Sequence, residues 1–332
     1  MIVDFHNHFI PAAFPEKPAE LTEPAWPSLR HAADGSAATM FVGEAKFRDF
    51  ETLYWDVDRR IAAMDAAGTD VQVICPLPEL LSYWLAPQAG AILTDAMNVS
   101  CADMVARSDG RLRGLGIVAL QDVGHMVAQV AAIAKLGLSG IFVGSHVNGT
   151  SIAAEAFYPV LAEAERHGLP LFVHGIKPGG LERIEGPPLM AAVVGIPYEG
   201  TTALAGFMAT DIFARFPRLD IVFAHGGGMI GSVIDRMELV WRKFPAAMQG
   251  ALTVPPTQYA RRFWYDTVVF SPENLRYIAD RFGTDRLLAG TDGPTEIGQT
   301  DLPNFIFATG LPQAECDAIL GGNAARLLGL TR

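Results

Sequence analysis

"AFYPVLAEAERHGLPLFVH", residues 156–174, decides the fold. Its first part has a helical pattern, and Gly168 suits the left-handed cap that ends a helix. A short apolar run, "PLFVH" at 170–174, follows at once and closes on His174. The same alternation runs through the chain. Strand candidates are "MIVDFH" at the start, "VQVICP" at 71–76, "LRGLGIV" at 112–118, "GIFVG" at 140–144, "PLFVH", "LDIVFAH" at 219–225, "FWYDTV" at 263–268 and "LLAGTD" at 287–292. They are continuous apolar runs, as expected of parallel strands buried on both faces. Helical patterns such as "RRIAAMDAAG" and "VAQVAAIAKLG" lie between them, the second ending in Gly137. Strand and helix repeated eight times read as an α/β fold, a (β/α)8 TIM barrel. The glycines of "HGGGM" at 225–229 follow the sixth strand without GxGxxG spacing, which disfavours a doubly wound nucleotide-binding sheet.

Two connections are longer than a barrel needs, residues 11–52 after strand one and 175–205 after strand five, the latter carrying "KPGG" and "EGPP". Long loops of this kind usually wall the active site. Residues 1–332 therefore read as one barrel domain with a loop insertion at about 11–52.

With 332 residues, half of them hydrophobic, the chain can bury a large core. A net charge of −11 argues against a nucleic-acid partner. The pairs Arg59-Arg60 and Arg261-Arg262 read as solvated faces. No apolar run reaches the roughly 18 residues of a membrane-spanning helix, and the N-terminus lacks the pattern of a secretory signal. Cys75, Cys101 and Cys316 form no CxxC pair and read as core fillers, so a cytoplasmic location is expected.

Polar residues gather at the strand ends. "DFHNHF", residues 4–9, puts His6 and His8 two apart, on one face of strand one. His174 ends strand five, His225 strand six and Asp292 strand eight. All parallel barrel strands open on one mouth, so these residues should meet there. His6, His8, His174 and Asp292 make three nitrogens and one carboxylate, the donor set of an open catalytic zinc site; manganese is the alternative. Strand four, "GIFVGSHVNG", offers no lysine to bridge a second ion, so one metal per chain is expected. A water on such a metal ionises near pH ~7, and His225 is free to take or orient its proton. A further ligand, or a group that merely orients one, is the other reading of His225. Asp292 counts with His225 among the catalytic groups. His146 faces the same mouth as a substrate contact or a structural residue. Asp266 ends strand seven, placed to hold a ligand from behind, and Trp84 in "LLSYWLAP" either walls the pocket or packs. His31, His125 and His167 read as solvent-facing.

With these residues in view the chain resembles the amidohydrolase superfamily, and within it the metal-dependent decarboxylase branch (amidohydrolase 2 family), typified by 2-amino-3-carboxymuconate-6-semialdehyde decarboxylase. The resemblance rests on "DFHNHFIP", "FRDFETLYWDVDRRIAAMDAAGTDVQV", "LLSYWLAP", "GSHVNG", "FYPVLAEAERHGLPLFVH", "RFPRLDIVFAHGGG", "AGTDGP" and "GGNAARLLGL", and covers nearly the whole chain. It implies the same four metal ligands and a catalytic His225. It also implies that Arg48 in "FRDF" grips a substrate carboxylate, and that Arg236 reaches in from a second subunit of a homodimer. A guanidinium in the long first loop independently suits a carboxylate, though less strongly. Two runs depart from the branch. "HGIKPGG" replaces the usual Pro and Trp after the histidine, and "GTDGPTEIGQ" lacks the usual aromatic before the proline. Both changes should open the pocket, and Lys177 and Glu296 should add charge to it.

The expected activity is non-oxidative decarboxylation of an unsaturated or aromatic carboxylic acid, a small molecule held by Arg48, Arg236, Lys177 and His146. The alternative is a hydrolase cutting an amide, lactone or carbon–carbon bond at the same site. A non-catalytic binding barrel is the third reading, disfavoured by the full set of ligand types.

Overall fold

The computed structural model describes residues 1–181, 183–187 and 189–330. Eight parallel strands form one sheet in chain order: Val3–Phe9, Val71–Pro76, Leu112–Ile117, Gly140–Gly144, Leu171–His174, Ile221–Phe223, Trp264–Asp266 and Leu287–Leu288. Every expected strand is present, and six of the eight are buried at every position, which explains why their sequences are apolar throughout rather than alternating. The first and last strands close the barrel. The Phe5 amide donates to the Ala289 carbonyl at 2.7 Å, Asp292 to His6 at 2.8 Å and His8 to Gly293 at 2.7 Å.

The helices between strands end as their sequences suggest. Val57–Ala67 stops at Gly68 and Tyr158–His167 at Gly168, both glycines left-handed, with φ of 68° and 65°. Helix Met126–Lys135 is followed by Gly137, φ 73°. The helix opening at Val57 is capped by the Asp56 carboxylate, which accepts from the Arg59 amide at 3.0 Å.

Three expectations need correction. The 11–52 connection is not an irregular loop. It folds into a three-stranded antiparallel sheet, Pro27–His31, Ala37–Val42 and Ala45–Glu51, whose last two strands turn through Gly43 and Glu44. Gly43, at φ 60°, occupies the position where a tight hairpin needs a left-handed residue. The 175–205 connection is only half loop, because Leu189–Ala209 is a 21-residue helix that carries Pro197 within it. Finally, Arg60 is no solvated side chain: it is 3% exposed, while Arg59, Arg261 and Arg262 do face solvent.

Candidate metal centre and active site

Strand one carries a bulge between Asp4 and Asn7, which re-aims its side chains at the mouth. The rings of His6 and His8 consequently meet, Nε2 to Nε2, at 3.1 Å. One Asp292 oxygen, Oδ1, lies 3.0 Å from His8 Nε2 and 3.4 Å from His6 Nε2. His174 and His225 bring their Nε2 atoms within 3.1 Å of each other. His6 belongs to two tight groups of candidate ligands, one with His8 and Asp292 and one with His174 and His225. Residues 6 and 292 thus join one centre, as the strand-end pattern requires.

The hydrogen bonds behind each ring fix which nitrogen is free. His6 Nδ1 faces the buried Asp266 carboxylate at 2.6 Å, His8 Nδ1 the Pro76 carbonyl at 3.2 Å, and His174 Nδ1 the Gly175 carbonyl at 2.7 Å. Each partner can only accept, so each Nδ1 carries a proton and each Nε2 is the atom turned to the centre, where it offers a lone pair once a metal displaces any proton there. His6 and His8 facing each other at 3.1 Å beside a carboxylate oxygen need positive charge among them. It is either a proton on an imidazole, that of His8 being held well above the usual range against burial by the Asp292 carboxylate, or a bound cation in its place. The spacing also suits one. Tetrahedral ligands at about 2.0–2.1 Å from a metal lie about 3.4 Å apart, close to the separations here. The residues therefore fit a divalent metal beside His6, with His8 and Asp292 on one side and His174 and His225 on the other.

Burial would raise the Asp292 carboxyl, but the positive field of His6 and His8 outweighs it and holds the group ionised, far below the usual carboxylate range. Burial pushes the His225 and His174 rings below the ordinary imidazole value, so both are neutral at pH 7. Asp266 is likewise held below the usual range: burial raises it, but the hydrogen bond and charge of His6, with the Gly226 amide, outweigh that. His225 and Asp292 have left-handed backbones, φ 54° and 62°, uncommon outside glycine. His225 opens a run of three glycines whose last, Gly228, has no space for a side chain. A Cβ there would lie 2.0 Å from the Pro197 carbonyl oxygen.

These groups sit at the floor of a cavity of about 860 Å3, which Arg48, Trp84, Lys177 and Met229 help to wall. Arg48, on strand Ala45–Glu51, pairs with Glu79 at 3.4 Å on the rim. Lys177 lays its Nζ over the Trp84 ring, 3.3 Å from the centroid. Glu296 is exposed and does not line this cavity. His146 does not line it either: its Nε2 faces the Ile176 carbonyl at 3.1 Å, and its Nδ1 accepts from the Gly149 amide at 3.1 Å. Arg236 is exposed on helix Ile230–Lys243, away from the cavity of its own chain.

Sequence reasoning missed the support behind strand one. Arg60 Nη2 donates to the His8 carbonyl at 2.7 Å and Nη1 to Gln72 Oε1 at 3.1 Å. Burial pulls its guanidinium down to about 10. Asp4, also buried, accepts from the Thr291 amide at 2.9 Å and hydroxyl at 2.7 Å, tying strand one to the residue before Asp292. The signal for Arg60 was present: it lies one turn before Met64 on the buried stripe of its helix. Arg60→Met is expected to cost about 3 kcal/mol of stability, since it strips the His8 carbonyl and the Asp4 network of a buried donor. Denaturant midpoints of the two proteins measure it. A change under 0.5 kcal/mol would refute this role.

Residues 3–330 match the family described as Amidohydrolase. The chain is 30% identical over 331 residues to the 2-amino-3-carboxymuconate-6-semialdehyde decarboxylase of Dictyostelium discoideum, covering 99% of this chain and 91% of that one. The 5-carboxyvanillate decarboxylase of Sphingomonas paucimobilis superposes with a TM-score of 0.75 at 28% identity, over 82% of this chain and 83% of that one. The fold is also that of a dihydroxybenzoic acid decarboxylase from Polaromonas sp. JS666 with bound manganese, at a TM-score of 0.72 and 20% identity over 83% and 86% of the chains. This chain belongs to the amidohydrolase family and to its metal-dependent decarboxylase branch.

Proposed function

We propose that this member of the amidohydrolase family, a carboxy-lyase, decarboxylates an aromatic or otherwise unsaturated acid at a single zinc site made by His6, His8, His174 and Asp292. The convergence of His8 and Asp292, and of His174 and His225, on His6, in a cavity that Arg48 also lines, carries the reading. When bound, the metal supplies Lewis acidity to an oxygen of water or substrate. Three imidazoles favour zinc, and manganese is the alternative.

Arg48 anchors the substrate carboxylate. Its present partner, Glu79, is a half-exposed rim group, and such pairs are weak enough to exchange for an incoming anion. His225, neutral at rest, takes a proton from water and passes it to the carbon that bears the carboxylate. The π pair of the substrate forms the new C–H bond. The C–C pair returns to the π system as carbon dioxide leaves, so the net change is one proton taken up. Asp266 holds His6 in the tautomer that leaves Nε2 free, and Asp292, besides its place among the holders, balances positive charge that builds on His225. Lys177 stands on the cavity wall as a second contact for a polar group of the substrate.

Residues 1–332 act as one domain in this reading. Arg236, exposed and remote from its own cavity, serves a neighbouring chain in a homodimer. Among the described residues no helix is long and apolar enough to cross a membrane, and the three cysteines are buried and free, which supports a cytoplasmic setting.

Carbon dioxide release from carboxylated ring and muconate-type acids by the zinc-loaded protein tests the activity. Release of two organic fragments without carbon dioxide would mean hydrolysis instead. Arg48→Ala is expected to lower kcat/KM roughly 10- to 100-fold, mostly through KM, with Arg48→Lys intermediate because an ammonium lacks the guanidinium fork. An unchanged kcat/KM for Arg48→Ala would remove the anchor role.

A further inference from the structure

The cavity is far larger than its chemical end requires. At about 860 Å3 it lies toward the top of the ~300–1,000 Å3 range of pockets that take drug-sized ligands, whereas a single carboxylated ring is much smaller. Among the described residues of one chain, its charged lining groups other than the metal-binding and proton-carrying ones are Arg48, Glu79 and Lys177, all at the end where the proposed homodimer would add the partner's Arg236 for the carboxylate. Two of these pair with each other, and the third is spread over Trp84. Most of the remaining wall is apolar, with Thr295 and Asn274 among its polar members, and much of its outer part comes from three separate segments.

Helix Leu189–Ala209 presents Leu189, Val193 and Ile196 at spacings of four and three, a single stripe turned to the cavity. Phe270 follows the seventh barrel strand, and Ile297 follows the eighth. Four of these five are conspicuously bare: Leu189 is 76% exposed, Ile297 69%, Val193 64% and Phe270 55%. Scattered exposed apolar side chains need no explanation, but a ring of them around one opening does. This groove is continuous with the chamber that holds His174, His225 and Asp292, so a substrate longer than its carboxylated core would extend along it.

We propose that the natural substrate carries, beyond its carboxylated core, an extended apolar substituent that lies between the Leu189–Val193–Ile196 stripe and the Phe270 and Ile297 side chains. The proposal rests on the decarboxylase reading for the placement of the carboxylate. It adds what that reading leaves open, the class of acid. Burying one methylene is worth roughly fourfold in affinity. One side of the groove is open, so about twofold per methylene is expected, and tenfold or more over a butyl chain.

The test uses the zinc-loaded, full-length protein and hydroxybenzoic acids bearing hydrogen, methyl, butyl or phenyl meta or para to the carboxylate. Carbon dioxide release and calorimetric affinity are measured on each. The expected result is a rise of at least tenfold in both kcat/KM and affinity from hydrogen to butyl or phenyl. Val193→Asp should reduce that ratio severalfold, because a carboxylate on the rim repels the substituent. A ratio at or below one, or one that Val193→Asp leaves intact, overturns the proposal. Should Val193→Asp change the mass of the assembly and not the ratio, the rim is a subunit contact and the proposal also falls. Tighter binding of the butyl acid with no carbon dioxide from any member would uphold the groove and overturn the decarboxylase reading. Carbon dioxide release without any preference would do the reverse.

Discussion

Asp266→Asn should lower metal affinity roughly 10- to 100-fold while the barrel stays folded, the usual cost of losing the group behind a metal-binding imidazole. Both oxygens of this carboxylate are committed. Oδ2 accepts from His6 Nδ1 at 2.6 Å, and Oδ1 accepts from the Gly226 amide at 3.0 Å and the Val268 amide at 3.1 Å. An asparagine has one acceptor and one donor end, so it cannot serve both sides. If its oxygen keeps the two amides, its NH2 faces His6 Nδ1 and forces the proton onto Nε2, where it blocks ligation. If its oxygen keeps His6, the NH2 opposes two backbone N–H groups and the turn after His225 shifts. Zinc affinity measured by chelator competition, together with the far-ultraviolet circular dichroism spectrum, decides the matter. Wild-type affinity in a folded Asp266→Asn protein would mean that His6 does not depend on this tautomer. The melting temperature should follow the metal. Zinc at 100 times its Kd adds about 2.7 kcal/mol to the stability of wild type, and the same total zinc should add less in the variant.

What could be read without coordinates follows from which interactions are local. The barrel strands are largely apolar runs, most of them ended by glycine, proline or a polar residue, and their placement in a barrel needs only their order. The convergence of His6 with Asp292 follows in turn, since parallel strands share one mouth. The 11–52 segment was opaque because its three strands do not resemble core strands. Ala45–Glu51 is exposed at six of its seven positions, so no alternation marks it. The helix at Leu189–Ala209 was hidden by "KPGG", "EGPP" and Pro197, which read as breakers. The helix nonetheless runs through Pro197. Arg60 was misread because charge usually means solvent. Only the tertiary fold reveals the His8 carbonyl waiting for its guanidinium.

The positions that local rules disfavour lie at the reacting centre. His225 and Asp292 both hold left-handed backbones, and the glycines after His225 pack too tightly against the helix carrying Pro197 to admit a side chain at Gly228. Strain of this kind costs on the order of 1–3 kcal/mol per residue and persists only where the surroundings enforce it. Here the enforcement comes from the Asp266 carboxylate under the Gly226 amide and from the barrel seam between His6 and Asp292. The same contacts that close the barrel therefore aim the two groups to which the proposed mechanism assigns the proton and its charge balance.

His225→Asn separates the two roles open to that residue. Asparagine is the substitution that best accepts a left-handed backbone, so the φ of 54° is kept and the glycine turn should survive. If His225 carries the proton, the variant should hold as much zinc per chain as wild type, with kcat for carbon dioxide release down by about 10²–10⁴-fold, the usual worth of a general acid–base group. The proton must then come from solvent. Free imidazole, small enough to enter an 860 Å3 cavity, should restore part of the rate in proportion to its concentration. The contrary result is equally definite. His225 Nε2 lies 3.1 Å from His174 Nε2, within reach of the same metal, so a ligand role would show as lost zinc that imidazole restores together with activity. Rescue of the rate at unchanged zinc content identifies a proton carrier, and rescue of the zinc content itself identifies a fifth ligand.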